Sequence, residues 1–429
     1  MGKKPKISTG LKVFVLLFRF LVGATFIISG VAKCIDLWGT VFKMEEYLAV
    51  WGWELPRMLV TTGAFALSVA EGLLGVMMLT GCYRRTTTWM MLATMAFMLP
   101  LTVYIALDNP VHDCGCFGDF LVVSNMTTMW KNVALTAMLV YLAFFNHRVV
   151  GLYHPYSQWI AGLLTSAWLI VIAGYGYIVQ PLVDFRRFDV GESIAGSTSS
   201  DDNVDYEFIY EKDGRRETFS VDNLPDSTWT FVSREVVGGK ENSSEDDGIA
   251  LYDAGGENIT ADYEDGRYVL VSVPEPARVG MGVAQKVDRL RAAVGDCGVE
   301  AFVALGGGEE EVARYDSITA PDYDVYYAEP TQLKELARGE VSVVALRDGR
   351  VEWKRSLDSF NIEDLKSCEL EDFEPLGPIT FWTLTLFYVI AMFTLLVMDQ
   401  TGKLIFRLVR RKRLTRLRLH RAKKSKPAE

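Results

Sequence analysis

The amino-acid sequence predicts a polytopic α-helical membrane protein that also carries one large water-exposed domain of β-rich and α/β structure. Of its 429 residues, 50% are hydrophobic, and many of these are gathered into runs of about 20 residues, the length that crosses a bilayer as a helix. The net charge of -10 is unevenly spread, with acidic residues crowded between about 201 and 374 and basic residues crowded near both ends. This asymmetry is typical of a membrane protein with a solvated domain and argues against a nucleic-acid binder.

Six apolar segments are long enough to span the membrane. They are residues 11–32, 59–80, 87–107, 129–146, 159–182 and 379–398. The first segment is too long for a signal peptide and no small-residue cleavage site follows it, so we expect it to be retained. Residues 35–57 are too polar to cross, and their aromatic side chains suit an amphipathic segment at the membrane surface.

The distribution of basic residues predicts the orientation. With six spans, the lysines before residue 11, Arg84 with Arg85, Arg148 and the tail at 403–426 all fall on one side, which the positive-inside rule makes the cytoplasm. Both termini are then cytoplasmic, while the loop around Cys114 and residues 184–377 lie outside. The basic tail also has the pattern of an amphipathic helix on an anionic leaflet.

The outer segment begins with small and polar residues, so residues 184–206 are predicted to be a linker. A hairpin is expected next, with strands at 206–210 and 217–221 around Asp213-Gly214. Further strands are predicted at 229–232, 249–252, 268–273, 301–305, 324–327, 341–346 and 350–354, and helices at 279–294 and 331–338. The alternation of strands and helices after residue 268 favours an α/β sheet with helices on its faces.

The most distinctive motif is the segment HDCGCFGD, which runs from His112 to Asp119 between two predicted spans. Cys114 and Cys116 are one residue apart, so a disulfide between them closes a small ring, which is strained and easily reduced. Gly115 and Gly118 give the backbone the freedom that such a ring needs.

Two other interpretations of this motif stay open. One is a tight turn with two small buried thiols. The other is a metal site, for which His112, Asp113 and Asp119 would have to wrap around one ion from a very short loop. The other four cysteines are distant from one another and are assigned no role; they are Cys34, Cys82, Cys297 and Cys368. Six cysteines in this length are too few for a disulfide scaffold.

Charged residues inside the predicted spans need an explanation, because a buried charge is costly in a membrane. Glu71 and Arg19 are expected at similar depths, so we predict that they pair. The pair is either a structural ion pair or part of a proton relay or quinone-site wall. Lys33 and Asp36 are expected at the outer mouth of the first span, on the side of Cys114, where they either influence the thiols or are merely exposed interface residues.

The first half of the chain resembles the MauE/DoxX family of bacterial membrane proteins, related in outline to the four-helix bundle of vitamin K epoxide reductase. The matching motifs are Ser29-Gly30-x-x-Lys33-x-x-Asp36, Glu71-Gly72 with Gly75, and the segment from Asp113 to Asp119 followed by Trp130-Lys131-Asn132. MauE-like proteins are implicated in maturing methylamine dehydrogenase, whose small subunit is rich in disulfides. The resemblance therefore implies a four-helix bundle in a bacterial cytoplasmic (inner) membrane with a redox-associated role.

The outer α/β region resembles a thioredoxin fold in its strand order and its Arg347-Asp348-Gly349 hairpin. It differs from that fold at the positions where a thioredoxin has its redox-active residues. Residues 274–280 replace the expected Cys-x-x-Cys, and Val341-Ser342 replaces the proline expected before the penultimate strand. Without thiols this domain cannot exchange disulfides, so we expect it to bind a partner.

The predicted domains follow from these boundaries. They are a MauE/DoxX-like bundle at 1–150, a fifth span at 151–182, a linker with a β-rich subdomain at 183–265, a thioredoxin-like domain at 266–377, and a sixth span with a basic tail at 378–429.

Two functions from different classes are favoured. In the first, Cys114 and Cys116 exchange electrons with an extracytoplasmic protein, supported by Lys33, Asp36, Arg19, Glu71, Asp113 and Asp119. No cofactor or metal follows from the residues, and a membrane quinone is the candidate electron acceptor. In the second, the chain is a non-catalytic membrane adaptor that presents the outer domain to a partner. A small-molecule transporter is a third function, supported by Glu71 alone. One cysteine pair is short of the two pairs expected for a self-sufficient relay to quinone, so whether the chain is an enzyme stays open.

Overall fold

The computed structural model describes residues 9–108, 111, 114–121, 123–195, 205–212, 215–220, 230–237, 248–319, 321, 323–363 and 373–424. The chain divides into two compact units, of which the first comprises Met1–Arg186 with Pro375–Glu429 and the second comprises Arg187–Glu374. Each unit has its own architecture.

The first unit is helical. Its helices are α1 (Thr9–Ile35), α2 (Leu37–Val50), α3 (Arg57–Thr80), α4 (Arg84–Asp108), α5 (Asn125–Phe145), α6 (Gln158–Ile178) and the last helix of the chain, α10 (Pro378–Lys424). Within the described residues, six of these helices are long and apolar enough to cross a membrane, and they coincide with the six predicted spans. The protein is therefore a multi-pass helical membrane protein, as predicted.

Helices α1, α3, α4 and α5 pack as a bundle around one apolar core. Its buried members on these four helices are Val15, Val22, Phe26, Leu74, Met78, Met91, Met95, Leu135, Leu139 and Leu142. Large apolar side chains also point away from this core, including Phe20, Trp89 and Phe97, which are all more than half exposed. In a bilayer these outward faces contact lipid.

Glycines bring α1 and α3 into close contact. A Cβ atom on Gly30 would overlap the backbone of Gly72, and one on Gly75 would lie 2.9 Å from the carbonyl oxygen of Gly23. Small residues at such a crossing let two membrane helices approach backbone to backbone. The close approach places Glu71 of α3 beside Ser29 and Lys33 of α1.

The predicted amphipathic segment after the first span forms helix α2. Asp36 caps its N-terminus, with a carboxylate oxygen 2.9 Å from the backbone nitrogen of Gly39. Leu37, Trp38 and Val41 are buried against the start of α3. Helix α2 is therefore fixed to the bundle by an apolar face.

The predicted sixth span and basic tail form one continuous helix, α10, instead of two. It is attached to α6 and to the segment before α6. The Tyr153 hydroxyl donates to the carbonyl of Met392 at 2.9 Å, and Trp168 stacks on Tyr388 with ring centroids 4.6 Å apart.

The second unit contains a small antiparallel sheet of three strands, β1 (Asp205–Lys212), β2 (Arg215–Ser220) and β3 (Thr230–Val237), in the order β2-β1-β3. Lys212 pairs with Arg215 across the predicted hairpin. The hairpin is confirmed, although Asp213 and Gly214 themselves lie outside the described residues.

The second unit also contains a five-stranded mixed sheet. Its strands are β4 (Arg267–Val273), β5 (Glu300–Leu305), β6 (Val325–Tyr327), β7 (Ser342–Arg347) and β8 (Arg350–Ser356), and its helices are α7 (Met281–Asp296), α8 (Glu309–Thr319) and α9 (Pro330–Leu336). The order is β6-β5-β4-β7-β8, in which β4, β5 and β6 are parallel and the pairs β4–β7 and β7–β8 are antiparallel. The predicted α/β sheet is therefore present.

Both faces of this sheet are buried because successive side chains of a strand point to opposite sides. Val269 and Val271 pack with residues of α7 and α8, whereas Leu270 belongs to a second core with α9. The near-continuous apolar run in β4 is what a strand covered on both faces requires.

Two predictions for this unit were wrong, and one helix was missed. Part of the predicted linker is packed, because the Gly191 nitrogen donates to the Val351 carbonyl at 2.7 Å and Phe188 and Ile194 are buried. Residues 249–252 form no strand, and only Tyr252 makes isolated bridges. Helix α8 was not predicted at all.

Cys297, to which no role was assigned, is disulfide-bonded.

Candidate thiol site

The cysteine pair lies in the loop between α4 and α5, which the glycines shape as predicted. Gly115 and Gly118 have φ values of +62° and +57°, a region that side chains disfavour. The nitrogen of Gly118 donates to the carbonyl of Gly115 at 3.1 Å, which closes the turn. A Cβ atom on Gly115 would lie 2.7 Å from Cγ of Lys43 in α2, so this residue is also held by close packing.

Within this loop the two thiols are in contact. The Sγ atoms of Cys114 and Cys116 lie 2.7 Å apart, and both cysteines are free. Cys114 is 8% exposed and packs with Ile105 and Val111. Its carbonyl accepts a hydrogen bond from the Tyr47 hydroxyl of α2 at 2.7 Å. Helix α2 therefore holds the loop from one side.

A buried ion pair lies beside the loop. Nζ of Lys33 is 2.8 Å from Oε2 of Glu71, and the two side chains are only 7% and 8% exposed. The Ser29 hydroxyl lies 2.8 Å from the same carboxylate oxygen and 2.6 Å from the carbonyl oxygen of Cys116. Ser29 therefore connects the ion pair to the backbone of the thiol loop.

The predicted pairing of Glu71 with Arg19 was wrong. Arg19 is buried at the opposite end of the bundle, where its guanidinium donates to the side chain of Asn146 and to the carbonyls of Asn146 and Val149. Arg19 ties α1 to the end of α5 and does not belong to the thiol site.

A cavity joins the ion pair to Cys116. Its polar lining consists mainly of Ser29, Lys33, Glu71, Cys116, Lys131 and Asn132, and α4 contributes Thr94, Met95 and Met98. It has about 40 Å³ of room for water, which is enough for a few molecules.

The two thiols differ in acidity. The hydrogen bond between the two thiols lowers the pKa of Cys116 to about 7, helped by the positive charges of Lys131 and Lys33. The same hydrogen bond, together with burial, raises the pKa of Cys114. Cys116 is therefore the more acidic thiol of the reduced pair.

The remaining predicted residues have other positions. Asp36 caps α2, as described above, and orients that helix. His112 and Asp113 lie outside the described residues, as does the side chain of Asp119. Among the described residues, no group of three or more His, Cys, Asp or Glu side chains is arranged to hold a metal ion.

Three residues of the site were not identified as functional from the sequence. Ser29 and Lys131 occur in the motifs quoted above, but neither was given a role, and Tyr47 was only one of several aromatic residues. The spacing of Ser29 and Lys33 was the usable signal, because residues four apart share one face of a helix.

Two family models match parts of the chain. The family model of methylamine utilisation protein MauE matches residues 11–145, and that of a domain of unknown function, DUF8463, matches residues 204–237. No curated protein and no solved structure matches the chain. The MauE match spans α1 to α5 and contains every residue of the thiol site, so residues 11–145 are a MauE-like membrane region, as the sequence motifs indicated.

Proposed function

We propose that this chain is a membrane thiol redox protein that matures extracytoplasmic proteins through Cys114 and Cys116. The observation that carries the proposal is the contact between two free thiols, one of which is acidified beside two lysines. The MauE match supports a membrane function related to methylamine utilisation.

The chemistry is exchange between dithiol and disulfide. A pair of partner thiols reduces the Cys114–Cys116 disulfide and becomes a disulfide itself, so two electrons and two protons pass to this chain. The reverse reaction reduces a partner disulfide. No step is assigned to a quinone, and a membrane quinone stays the candidate electron acceptor.

The site requires an oxidising compartment, and we propose that the loop faces outward from a bacterial inner membrane. Both termini are then cytoplasmic and residues 184–377 are extracytoplasmic. The basic residues near Arg84 and in the tail support this orientation. The disulfide at Cys297 supports it independently, because disulfides persist mainly outside the cytoplasm.

For the second unit we propose a thioredoxin-like sheet that binds a partner without redox chemistry. The parallel pair β4–β5 followed by the antiparallel strands β7 and β8 supports this, and Ala277 and Gly280 occupy the positions where a thioredoxin has thiols. The full chain with both loop cysteines changed to serine should not reduce insulin faster than dithiothreitol alone. Faster reduction would refute the binding-only role.

Trapping of mixed disulfides tests the redox function. In cells that express Cys116→Ser, Cys114 should form adducts with extracytoplasmic proteins that disappear on reduction. Cys34→Ser is the matched control, because Cys34 is a fully buried free thiol outside the loop and its loss should trap nothing.

The alternative is a non-catalytic adaptor, which the absence of thiols at residues 274–280 favours. It predicts that partners co-purify equally well with the wild type and with the variant that lacks both loop cysteines. Equal recovery without any mixed disulfide would replace the redox function with the adaptor.

A further inference from the structure

The surroundings of Cys116 differ from those of Cys114. Cys116 lines the cavity inside the helix bundle and Cys114 does not. Both thiols also pack with Ile105 and Val111, where Cys114 is the more deeply buried. A cavity with room for only a few waters cannot admit a segment of another protein. A protein partner therefore does not enter this cavity, which Cys116 shares with Lys33 and Lys131.

Lys131 approaches Cys116 from a different helix than Lys33. It lies on α5, and its ammonium is 4.1 Å from the ring centroid of Phe117, the residue after Cys116. Its positive charge and that of Lys33 both favour the Cys116 thiolate. No described carboxylate forms an ion pair with Lys131, in contrast to Lys33, which is bound to Glu71.

Three helices contribute charged side chains to the lining of the cavity. Helix α1 contributes Lys33, α3 contributes Glu71, and α5 contributes Lys131. Helix α4 contributes only uncharged side chains to the lining. Lys43 of α2 touches Gly115 through its carbon chain, but its ammonium pairs with Glu46 at 2.8 Å. With Glu71 already paired to Lys33, a Cys116 thiolate is the natural counter-charge for Lys131.

We infer that Lys131 is a positioning residue that, together with Lys33, holds Cys116 as the thiolate leaving group, so that Cys114 is the sulfur that a partner thiolate attacks. The inference rests on the proposed redox function and divides its chemistry between the two cysteines. It also predicts which of the two carries the mixed disulfide.

The step balances without any further reactant. A partner thiolate forms a bond to Sγ of Cys114, the Cys114–Cys116 bond breaks, and its electron pair stays on Cys116 as a thiolate. A second partner thiolate then attacks the partner sulfur and releases Cys114, which takes up a proton. A thiol with a lower pKa leaves faster, so the lysines favour this direction of attack.

The test uses the reduced full chain in membranes, in the Cys114→Ser background, where Cys116 is the only loop thiol. The rate of its alkylation by neutral iodoacetamide is measured between pH 5 and 10 by peptide mass spectrometry. Lys131→Met should raise the midpoint of this profile and slow alkylation at neutral pH about tenfold, because an opposite charge nearby typically shifts a pKa by at least about one unit. Lys131→Arg should restore most of the rate.

The matched control is Lys43→Met, which removes a lysine that touches the same loop without directing its charge to Cys116. Its profile should equal that of the parent. If Lys131→Met does not accumulate, Lys131→Gln makes the same test. A profile of Lys131→Met or Lys131→Gln identical to that of the parent would overturn the inference.

A second measurement tests the site of attack. Oxidised wild-type membranes are treated with an excess of a neutral cysteine-containing tripeptide and quenched in acid within seconds. The tripeptide should be found on Cys114, and its appearance mainly on Cys116 would also overturn the inference. Failure of the proposed redox function can be told apart from failure of this inference. In that case the alkylation profile and the site of the tripeptide adduct would be as expected, but Cys116→Ser would trap no cellular partner.

Discussion

The carboxylate of Glu71 lies inside the helix bundle and accepts hydrogen bonds from both Lys33 and Ser29. A charge at that position is stable only when a cation compensates it, and Lys33 is that cation. Because Ser29 also contacts the carbonyl of Cys116, the ion pair supports both the bundle and the thiol loop.

Removing one member of this pair should therefore destabilise the protein. Lys33→Met leaves an unpaired buried carboxylate and is expected to cost about 3–5 kcal/mol, and the double variant with Glu71→Leu should recover a large part of the loss. Thermal unfolding in detergent micelles measures both. Arg19→Leu is the control, since it shares no contact with Glu71, and its effect should simply add to that of Glu71→Leu. A double variant no better than Lys33→Met alone would contradict the pairing.

The residues of the site were predictable where local chemistry determines them. The cysteine spacing and the two glycines predicted the turn, and the position of Lys33 predicted that it lies near the thiols. The predicted partner of Glu71, Arg19, was wrong. Counting residues along a helix gives the depth of a side chain in the membrane but not the direction in which it points. Lys131 was missed because it comes from a helix that only the folded bundle brings to Cys116.

Helices α1 and α3 form the contact that the thiol site depends on. Gly30 and Gly72 allow their backbones to touch at the level of Glu71. The distance between Lys33 and Glu71 is set by this crossing, so a larger residue there disturbs the site as well as the packing.

Gly30→Ala should separate the two helices. Its Cβ atom would overlap the backbone of Gly72, which cannot move aside, so we expect a loss of at least about 1–3 kcal/mol, typical of overpacking. The melting temperature in detergent measures the loss. Gly174→Ala in α6 is the matched control, because no atom lies within 4 Å of its Cβ position and stability should be unchanged or slightly higher. Equal behaviour of the two variants would show that the crossing tolerates a side chain.

Long elements were easier to predict than short ones. The six spans were found because about 20 consecutive apolar residues leave few alternatives. Helix α8 was missed because it has few apolar residues to reveal a period. Of its described side chains, only Val312 and Tyr315 are buried in the core. The strand expected at 249–252 was wrong because its apolar residues, Ile249 and Leu251, pack as irregular chain against the second core.

The molecule as a whole combines a membrane unit that holds the thiols with a second unit that has none at residues 274–280. In the proposed function the second unit binds a partner and the loop cysteines react with it. This requires the thiol loop and the second unit to be on the same side of the membrane. The six spans and the asymmetric charges predict that they are.

Reporter fusions test this topology. A reporter that is active only in the cytoplasm should be silent when fused after Asp202 and active when fused after Lys426. The physical reason is the excess of Lys and Arg in the short segments next to the spans, which retains those segments inside. Activity after Asp202 and silence after Lys426 would reverse the orientation.

Differential alkylation of Cys114 and Cys116 in freshly prepared membranes, quenched rapidly in acid, tests the redox account most directly. Mass spectrometry of the single peptide that contains both cysteines reads their oxidation state. The account predicts that the pair is a disulfide as isolated, is reduced by mild dithiothreitol while the bundle stays folded, and closes again on addition of an oxidant. Full labelling of both thiols at the outset, with no oxidant able to close them, would contradict it and leave the loop as a tight turn in an adaptor.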